Sequence, residues 1–168
     1  MFGKLMATLA VAAIVAGCAT TAEVAVPFNA AEVAYINQSG PAKVSGQGFT
    51  RLSNGAVITC AGTKAELVPA GQYAKERIAA IYGNVGGGTM SVSQPMPSIS
   101  APPEYATMRR TTVCDASGNF EFAGVANGDY YVMTVVQFVR GQGFAPEGNR
   151  LVRLVRVADG KSLRVVMN

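Results

Sequence analysis

The second half of the chain alternates short apolar runs with glycine-, asparagine- and aspartate-rich turns, and this alternation constrains the fold more than any other feature. The run 130–139 (YYVMTVVQFV) is apolar at almost every position, as expected for a central strand covered on both faces. A hairpin turn is predicted at 115–119 (DASGN) and a second turn at 126–129 (ANGD), where glycine readily adopts a positive φ. The predicted strands of this half are 108–114, 120–125, 130–139, 150–157 and 163–167, with the last two forming a hairpin around Asp159-Gly160.

The first half carries the same pattern more weakly. Strands are predicted at 43–49 and 56–60, joined through Asn54-Gly55, and at 64–68. Residues 72–82 (QYAKERIAAIY) are helix formers that fit either a short amphipathic helix or an irregular segment crossing the sandwich. These short strands with regular turns predict an all-β fold, an antiparallel sandwich of about seven strands, with 72–82 as its one candidate helix.

Residues 83–105 (GNVGGGTMSVSQPMPSISAPPEY) break this pattern, because they are rich in glycine, serine and proline. Such a composition buries too little apolar surface to offset the entropy lost on ordering, so a long flexible insertion is expected here. Its apolar side chains are candidates for ordering on a partner surface. The candidate partner-binding residues are Met90, Met96, Ile99 and Tyr105.

A stretch of about twenty residues, 112–132 (TVCDASGNFEFAGVANGDYYV), resembles a known family. It is similar to the carboxypeptidase-regulatory-like domains, whose fold is a transthyretin-like (prealbumin-like) β-sandwich. The residues that carry the resemblance are Asp115, Gly118, Phe120, Phe122, Gly128, Tyr130 and Val132. The resemblance implies a fold and says almost nothing about function, because that sandwich hosts many roles. The chain departs from the family in its cysteines and in the 83–105 insertion.

The N-terminus has the form of an export signal. Lys4 precedes the apolar run 5–15 (LMATLAVAAIV), which is too short to span a bilayer, and Val15-Ala16-Gly17-Cys18 follows. This ending resembles the lipobox of bacterial lipoproteins. The resemblance implies a signal peptide at 1–17, a lipid on Cys18, a tether at 18–32 and a sandwich domain at 33–168. The alternative is an ordinary secretory signal cut near Ala19 or Ala22.

Two consequences follow from the lipoprotein resemblance. In such lipoproteins an aspartate directly after the lipidated cysteine retains the protein at the inner membrane, and here that position is Ala19. The expected location is therefore the bacterial cell envelope, with the protein anchored at the outer membrane and facing the periplasm or the outside. With Cys18 assigned to lipid, Cys60 and Cys114 remain as a pair in an oxidising compartment, and a disulfide bond is expected between them. Two buried free thiols are the alternative.

The composition argues against most catalytic chemistry. The chain has no histidine, which excludes Ser-His-Asp and Cys-His catalysis and histidine-ligated zinc, and it shows no paired carboxylate motif. Asp115-x-Ser117-x-Asn119 offers oxygens for calcium but lacks the later bidentate glutamate, so a plain turn is favoured. We expect no enzyme activity, no cofactor, no metal and no nucleic-acid partner, since the net charge of +4 is small and spread along the chain. Six arginines (109, 110, 150, 153, 156 and 164) are interpreted as solvated edge-strand charges, with contact to an anionic surface as the alternative.

These observations predict a membrane-anchored, non-catalytic binding or structural module whose partner is another envelope protein. The alternative is a carbohydrate- or peptidoglycan-binding module. Sugar binding favours exposed aromatic side chains, and the absence of tryptophan counts against it. The aromatic candidates for a sugar site are Tyr73, Tyr82, Tyr105 and Phe144.

Overall fold

The computed structural model of the chain describes residues 23–141 and 145–168. Within these residues nine strands form two sheets, with 3₁₀ and α helices beside them. The strands are β1 (Ser39–Arg51), β2 (Val57–Thr59), β3 (Lys64–Pro69), β4 (Gly87–Ser91), β5 (Arg110–Val113), β6 (Asn119–Val125), β7 (Gly128–Phe138), β8 (Glu147–Val157) and β9 (Leu163–Met167). The helices are a 3₁₀ turn (Ala34–Asn37), α1 (Gln72–Tyr82) and α2 (Pro103–Thr107).

The expected all-β sandwich is confirmed, with nine strands among the described residues where about seven were predicted. One sheet has the order β4-β8-β7-β3-β5 and is antiparallel throughout. The other places β1 between β6 and β9, while β2 pairs with the far end of β1. The β1–β9 pairing is parallel, which departs from the purely antiparallel expectation.

Two hydrophobic cores hold the layers together. The first lies between the sheets and includes Val44, Phe120, Tyr130 and Leu151. The second lies on the opposite, outer face of the five-stranded sheet. There Tyr73, Ala74 and Ile78 of α1 pack on the outward-facing side chains Val68, Tyr131 and Val152. Strand β7 therefore needs apolar residues on both faces, which explains the almost entirely apolar run that marked it as central.

The predicted disulfide bond is confirmed. Cys60 and Cys114 are bonded, with their Cα atoms 5.8 Å apart, and both residues are buried. Cys60 directly follows β2 of one sheet, and Cys114 directly follows β5 of the other. The bond therefore connects the two layers of the sandwich.

Two predicted hairpins are wrong. Strands β5 and β6, on either side of the 115–119 turn, belong to different sheets, and so do β8 and β9 around Asp159-Gly160. The turns themselves form: the Gly118 N–H donates to the Asp115 carbonyl, and Asp159 has a positive φ of 54°. A turn sequence reverses the chain, but side-chain packing decides which sheet the next strand joins.

The folded body begins earlier than the predicted boundary at residue 33. Val24 and Phe28 pack against the second core, and the Val26 N–H donates to Glu76 Oε2 of α1 at 3.2 Å. Glu32 accepts a hydrogen bond from the Gln72 N–H at 3.0 Å, so its carboxylate caps the start of α1. Residues 23–32 are therefore part of the domain and not a tether. The predicted signal peptide and Cys18 lie outside the described residues, and so does Phe144.

The prediction of a structureless insertion at 83–105 is also wrong in part. Residues 87–91 form β4, and α2 begins at Pro103. Between them residues 92–102, here called the crossing segment, pass over the outer face from the edge strand β4 toward the opposite edge strand β5. The Tyr73 hydroxyl donates to the Ser100 carbonyl, and Arg77 donates to the Ile99 carbonyl. No helix among the described residues is long and apolar enough to cross a membrane.

Candidate functional site

A groove of about 540 Å³ opens on the part of the outer face that α1 leaves uncovered. Its floor is apolar and consists of Met133, Val135 and Val152 from the two central strands β7 and β8. Tyr82, the last residue of α1, lines one side, and Met96 of the crossing segment lines another. The groove therefore combines an apolar base with an aromatic ring at its border.

The groove exists because α1 is short. Gly83 ends the helix in the left-handed conformation, with φ of 70°, and its N–H donates to the Ala79 carbonyl. The chain turns away there, so the sheet beyond Tyr82 has no helix over it. The Tyr82 ring approaches Gly88 of β4, where an added Cβ would lie 3.6 Å from the Tyr82 Cδ1 atom. The ring therefore lies against the backbone of β4 at the border of the groove.

Strand register places two cations level with each other across the groove. Val135 of β7 pairs with Arg150 of β8. On the other side of β7, Ala65 pairs with Thr134, so Lys64 of β3 lies level with Val135. Two strand spacings separate the backbones of Lys64 and Arg150, which is about 10 Å. Their side chains both line the groove, on either side of an apolar centre.

The other polar groups of the groove differ in how fully their hydrogen-bonding capacity is used. Glu66 is bound by Arg109, whose Nη1 lies 3.3 and 3.2 Å from the two carboxylate oxygens. The Thr63 hydroxyl lies 2.7 and 2.8 Å from two backbone carbonyls, so its proton is already engaged. Gln137 is exposed at the open end. Its amide presents both a donor and an acceptor to solvent.

The electrostatics of Tyr82 reflect its position beside Arg150. Burial raises the pKa of the Tyr82 phenol above its usual value, and the positive charge of Arg150 partly opposes that rise. The phenol is therefore neutral at physiological pH. Arg150 donates through Nη1 to the Ser91 carbonyl at 2.9 Å, which orients the guanidinium toward the end of β4.

The four candidate partner-binding side chains do not form one exposed surface. Met90 on β4 and Tyr105 on α2 are each only 7% exposed, so the prediction is wrong for these two. Tyr105 packs edge-on against Tyr73 and Phe28 in the second core. Met96 is 45% exposed at the groove, and Ile99 is half-buried in the crossing segment. Sequence composition marked the segment as mobile because it could not reveal the aromatic cluster beneath it.

One of the aromatic candidates for a sugar site lines the groove. Tyr82 is half-buried at its wall, whereas Tyr73 and Tyr105 are committed to the second core. The sequence interpretation missed Lys64 and Gln137 and placed Arg150 among edge-strand charges. Only the strand order shows that β8 is an inner strand and that these residues face the same groove.

The other residues considered from sequence have structural roles. Asp115 Oδ1 accepts hydrogen bonds from the backbone N–H groups of Asn119 and Ser117, and these bonds lower the pKa of the Asp115 carboxyl. In the described part of the chain, no three histidine, cysteine or acidic side chains cluster as a metal site would require. Arg156 forms an ion pair with Asp129 at 2.6 Å, on the same face as Arg150 but six residues along the strand.

A second cleft, of about 860 Å³, lies between residues 23–28 and 98–103. Glu23 is the one charged residue among those that line it, and its other lining residues include three prolines. A ligand site needs a few polar groups that converge on the ligand as well as apolar area. The groove beside Tyr82 meets that requirement better.

The comparisons with known proteins bear on the fold and on the class of function. No protein-family model matches the chain, and no curated protein sequence matches it either. Among solved structures, the chain is similar to the crystal structure of a Pseudomonas aeruginosa protein proposed to bind carbohydrate. The two share 26% sequence identity with a TM-score of 0.67, over 83% of this chain and 96% of that one. The similarity supports assignment of the chain to binding modules built on a β-sandwich.

Proposed function

We propose that this protein is a non-catalytic carbohydrate-binding module and that the groove beside Tyr82 is its binding site. The observation that carries the proposal is the combination in one groove of an aromatic ring, an apolar floor and hydrogen-bonding side chains. A sugar ring has an apolar face that packs on such surfaces and hydroxyls that need donors and acceptors. Gln137, Arg150 and Lys64 supply those groups around the floor.

The solved structure similar to this chain supports the same class of function, because that protein is itself proposed to bind carbohydrate. The protein-partner hypothesis loses part of its basis, since Met90 and Tyr105 are buried in the domain. A non-catalytic role agrees with the chemistry of the groove, where the carboxylate of Glu66 is held by Arg109. Glycoside hydrolysis needs two carboxylates facing the sugar, and Glu66 is the one acidic residue among those that line the groove.

We further propose that the module belongs to the family that the 112–132 stretch resembles and that it is held at the bacterial envelope by a lipid on Cys18. The lipobox-like ending at residue 18 motivates the anchor, and the disulfide bond fits an oxidising compartment. Mass spectrometry of the protein extracted from membranes tests the anchor. Recovery of an unmodified Cys18 would refute it.

The binding function is tested by isothermal titration of the purified protein with a panel of neutral and acidic oligosaccharides and peptidoglycan fragments. Tyr82→Ala removes the ring that borders the groove and is expected to weaken binding by about tenfold or more, as for loss of a stacking aromatic side chain. Lys161→Ala is the control, because this lysine lies in the turn between β8 and β9 and its side chain is 81% exposed. If both variants lose the same affinity, or if Tyr82→Ala binds as tightly as the unaltered protein, the groove is not the binding site.

A further inference from the structure

More positive than negative side chains line the groove. Three ionisable side chains other than Tyr82 line it: Lys64, Glu66 and Arg150. Glu66 is neutralised by Arg109, with which it forms an ion pair at 3.2 Å. Among the described residues, neither Lys64 nor Arg150 takes part in an ion pair with a carboxylate. The groove therefore presents two cations whose charge is not balanced by neighbouring acids.

The positions of these cations suit a single anionic group. Lys64 and Arg150 are level with each other on opposite sides of Val135, with about 10 Å between their backbones. The Arg150 guanidinium is held at the Ser91 carbonyl of β4, and the long, flexible side chain of Lys64 can reach toward it over the floor. An anion bound by Arg150 over the floor would then be contacted by Lys64 from the other side.

Arg150 is also held in place before any ligand arrives. Its Nη1 donates to the Ser91 carbonyl at 2.9 Å, and this bond leaves other N–H groups of the guanidinium for a ligand. A guanidinium forms paired, charge-assisted hydrogen bonds with a carboxylate, and partial shielding from water strengthens them. Arg150 is half-buried, so such a bond would be less screened than one at a fully exposed site.

We infer that the groove is selective for acidic saccharides, with a sugar carboxylate bound between Lys64 and Arg150 and the sugar ring resting on the apolar floor beside Tyr82. This inference rests on the proposed carbohydrate-binding function and specifies its substrate class. Neutral sugars would use the same floor and ring but would leave the two cations without a partner.

The test compares oligogalacturonate with its fully methyl-esterified form, because the ester removes the charge and keeps the sugar ring and linkage. Titration of the purified protein is expected to show at least about tenfold tighter binding of the acid at low salt, a difference that shrinks as ionic strength rises. Arg150→Ala is expected to remove most of this preference, and Lys64→Ala part of it. Arg150→Lys retains the charge but loses the paired geometry, so it should retain a reduced preference.

Arg153→Ala is the matched control, since Arg153 lies on the same strand and is exposed outside the groove. It should leave the preference for the acid unchanged. Thermal midpoints near that of the unaltered protein show that each variant is folded. Equal binding of acid and ester, dependent on Tyr82, would overturn the inference and keep the carbohydrate-binding function. Failure of both saccharides to bind would overturn the selectivity inference, and failure of the whole panel would overturn the function as well.

Discussion

Breaking the disulfide bond should cost this domain a large part of its stability. Cys60 and Cys114 are 54 residues apart in sequence, and both are buried where the two sheets meet. In the chain-entropy description, closing a loop of this length destabilises the unfolded state by about 4 kcal/mol. A single domain is typically stable by only about 5–15 kcal/mol, so reduction is expected to remove a quarter or more of the total.

The assay is urea unfolding followed by circular dichroism, with the oxidised and the reduced protein measured side by side. Reduction leaves every side chain in place, so the difference in the free energy of unfolding reports the cross-link. A Cys60→Ala/Cys114→Ala double variant should lose somewhat more, because Cys60 sulfur also packs near Gly48 in the core. In a thermal scan the loss corresponds to about 10 °C in Tm. A loss below about 1 kcal/mol on reduction would refute the reasoning, because it would mean that the cross-link does little to restrict the unfolded chain.

Three further perturbations test separate parts of the structure. Phe28→Ala should lower the free energy of unfolding by about 2 kcal/mol in chemical denaturation, because this ring packs edge-on against two tyrosines of the second core. An unchanged free energy of unfolding would mean that the N-terminal segment is a free tether. Gly46→Ala should lower the free energy of unfolding by about 1–3 kcal/mol in the same assay, since an added Cβ would lie 2.5 Å from the backbone oxygen of Val165 in β9. An alanine that leaves the stability unchanged would contradict the close approach of these two strands. Burial raises the pKa of Tyr130 and of Tyr131 to about 12, so the folded state favours their neutral phenols. The stabilisation that this pKa difference provides is complete below pH 10 and is lost as the pH rises from 10 to 12. Tyrosinate absorbance and circular dichroism should therefore show ionisation and unfolding together in this range. Ionisation of both tyrosines near pH 10 without unfolding would contradict the prediction.

Local sequence patterns predicted most of the strands because each pattern reports a local property. The run 163–167 matches β9 (Leu163–Met167), and the largely apolar run 130–139 overlaps the central strand β7 (Gly128–Phe138). Residues 72–82 form α1, one of the two conformations that their composition allowed. The disulfide bond followed from counting cysteines, because assigning Cys18 to a lipid leaves Cys60 and Cys114 as a pair. The lipid on Cys18 itself stays a prediction.

The candidate site was harder to predict, because its residues come from separate elements. Lys64 and Arg150 are 86 positions apart in sequence and come together through the order β8-β7-β3. The strand period places Arg150 and Arg153, three residues apart, on opposite faces of the sheet, but no local pattern shows which face carries the groove. The sequence also could not tell which aromatic candidate borders the groove. Tyr82 does so, while Tyr73, on the same helix, is buried in the second core.

The sequence by itself determined the class of the fold, the position of its central strand and the pair of cysteines available to cross-link it. These follow from side-chain periodicity, turn chemistry and redox chemistry, which act over a few residues or on residue type alone. The tertiary structure decided which strands share a sheet, that the N-terminal and crossing segments pack on the outer face, and that two cations lie level across an apolar floor. Those features depend on packing between residues far apart in the chain, where small differences in buried area and hydrogen bonding select one arrangement among many with the same local pattern.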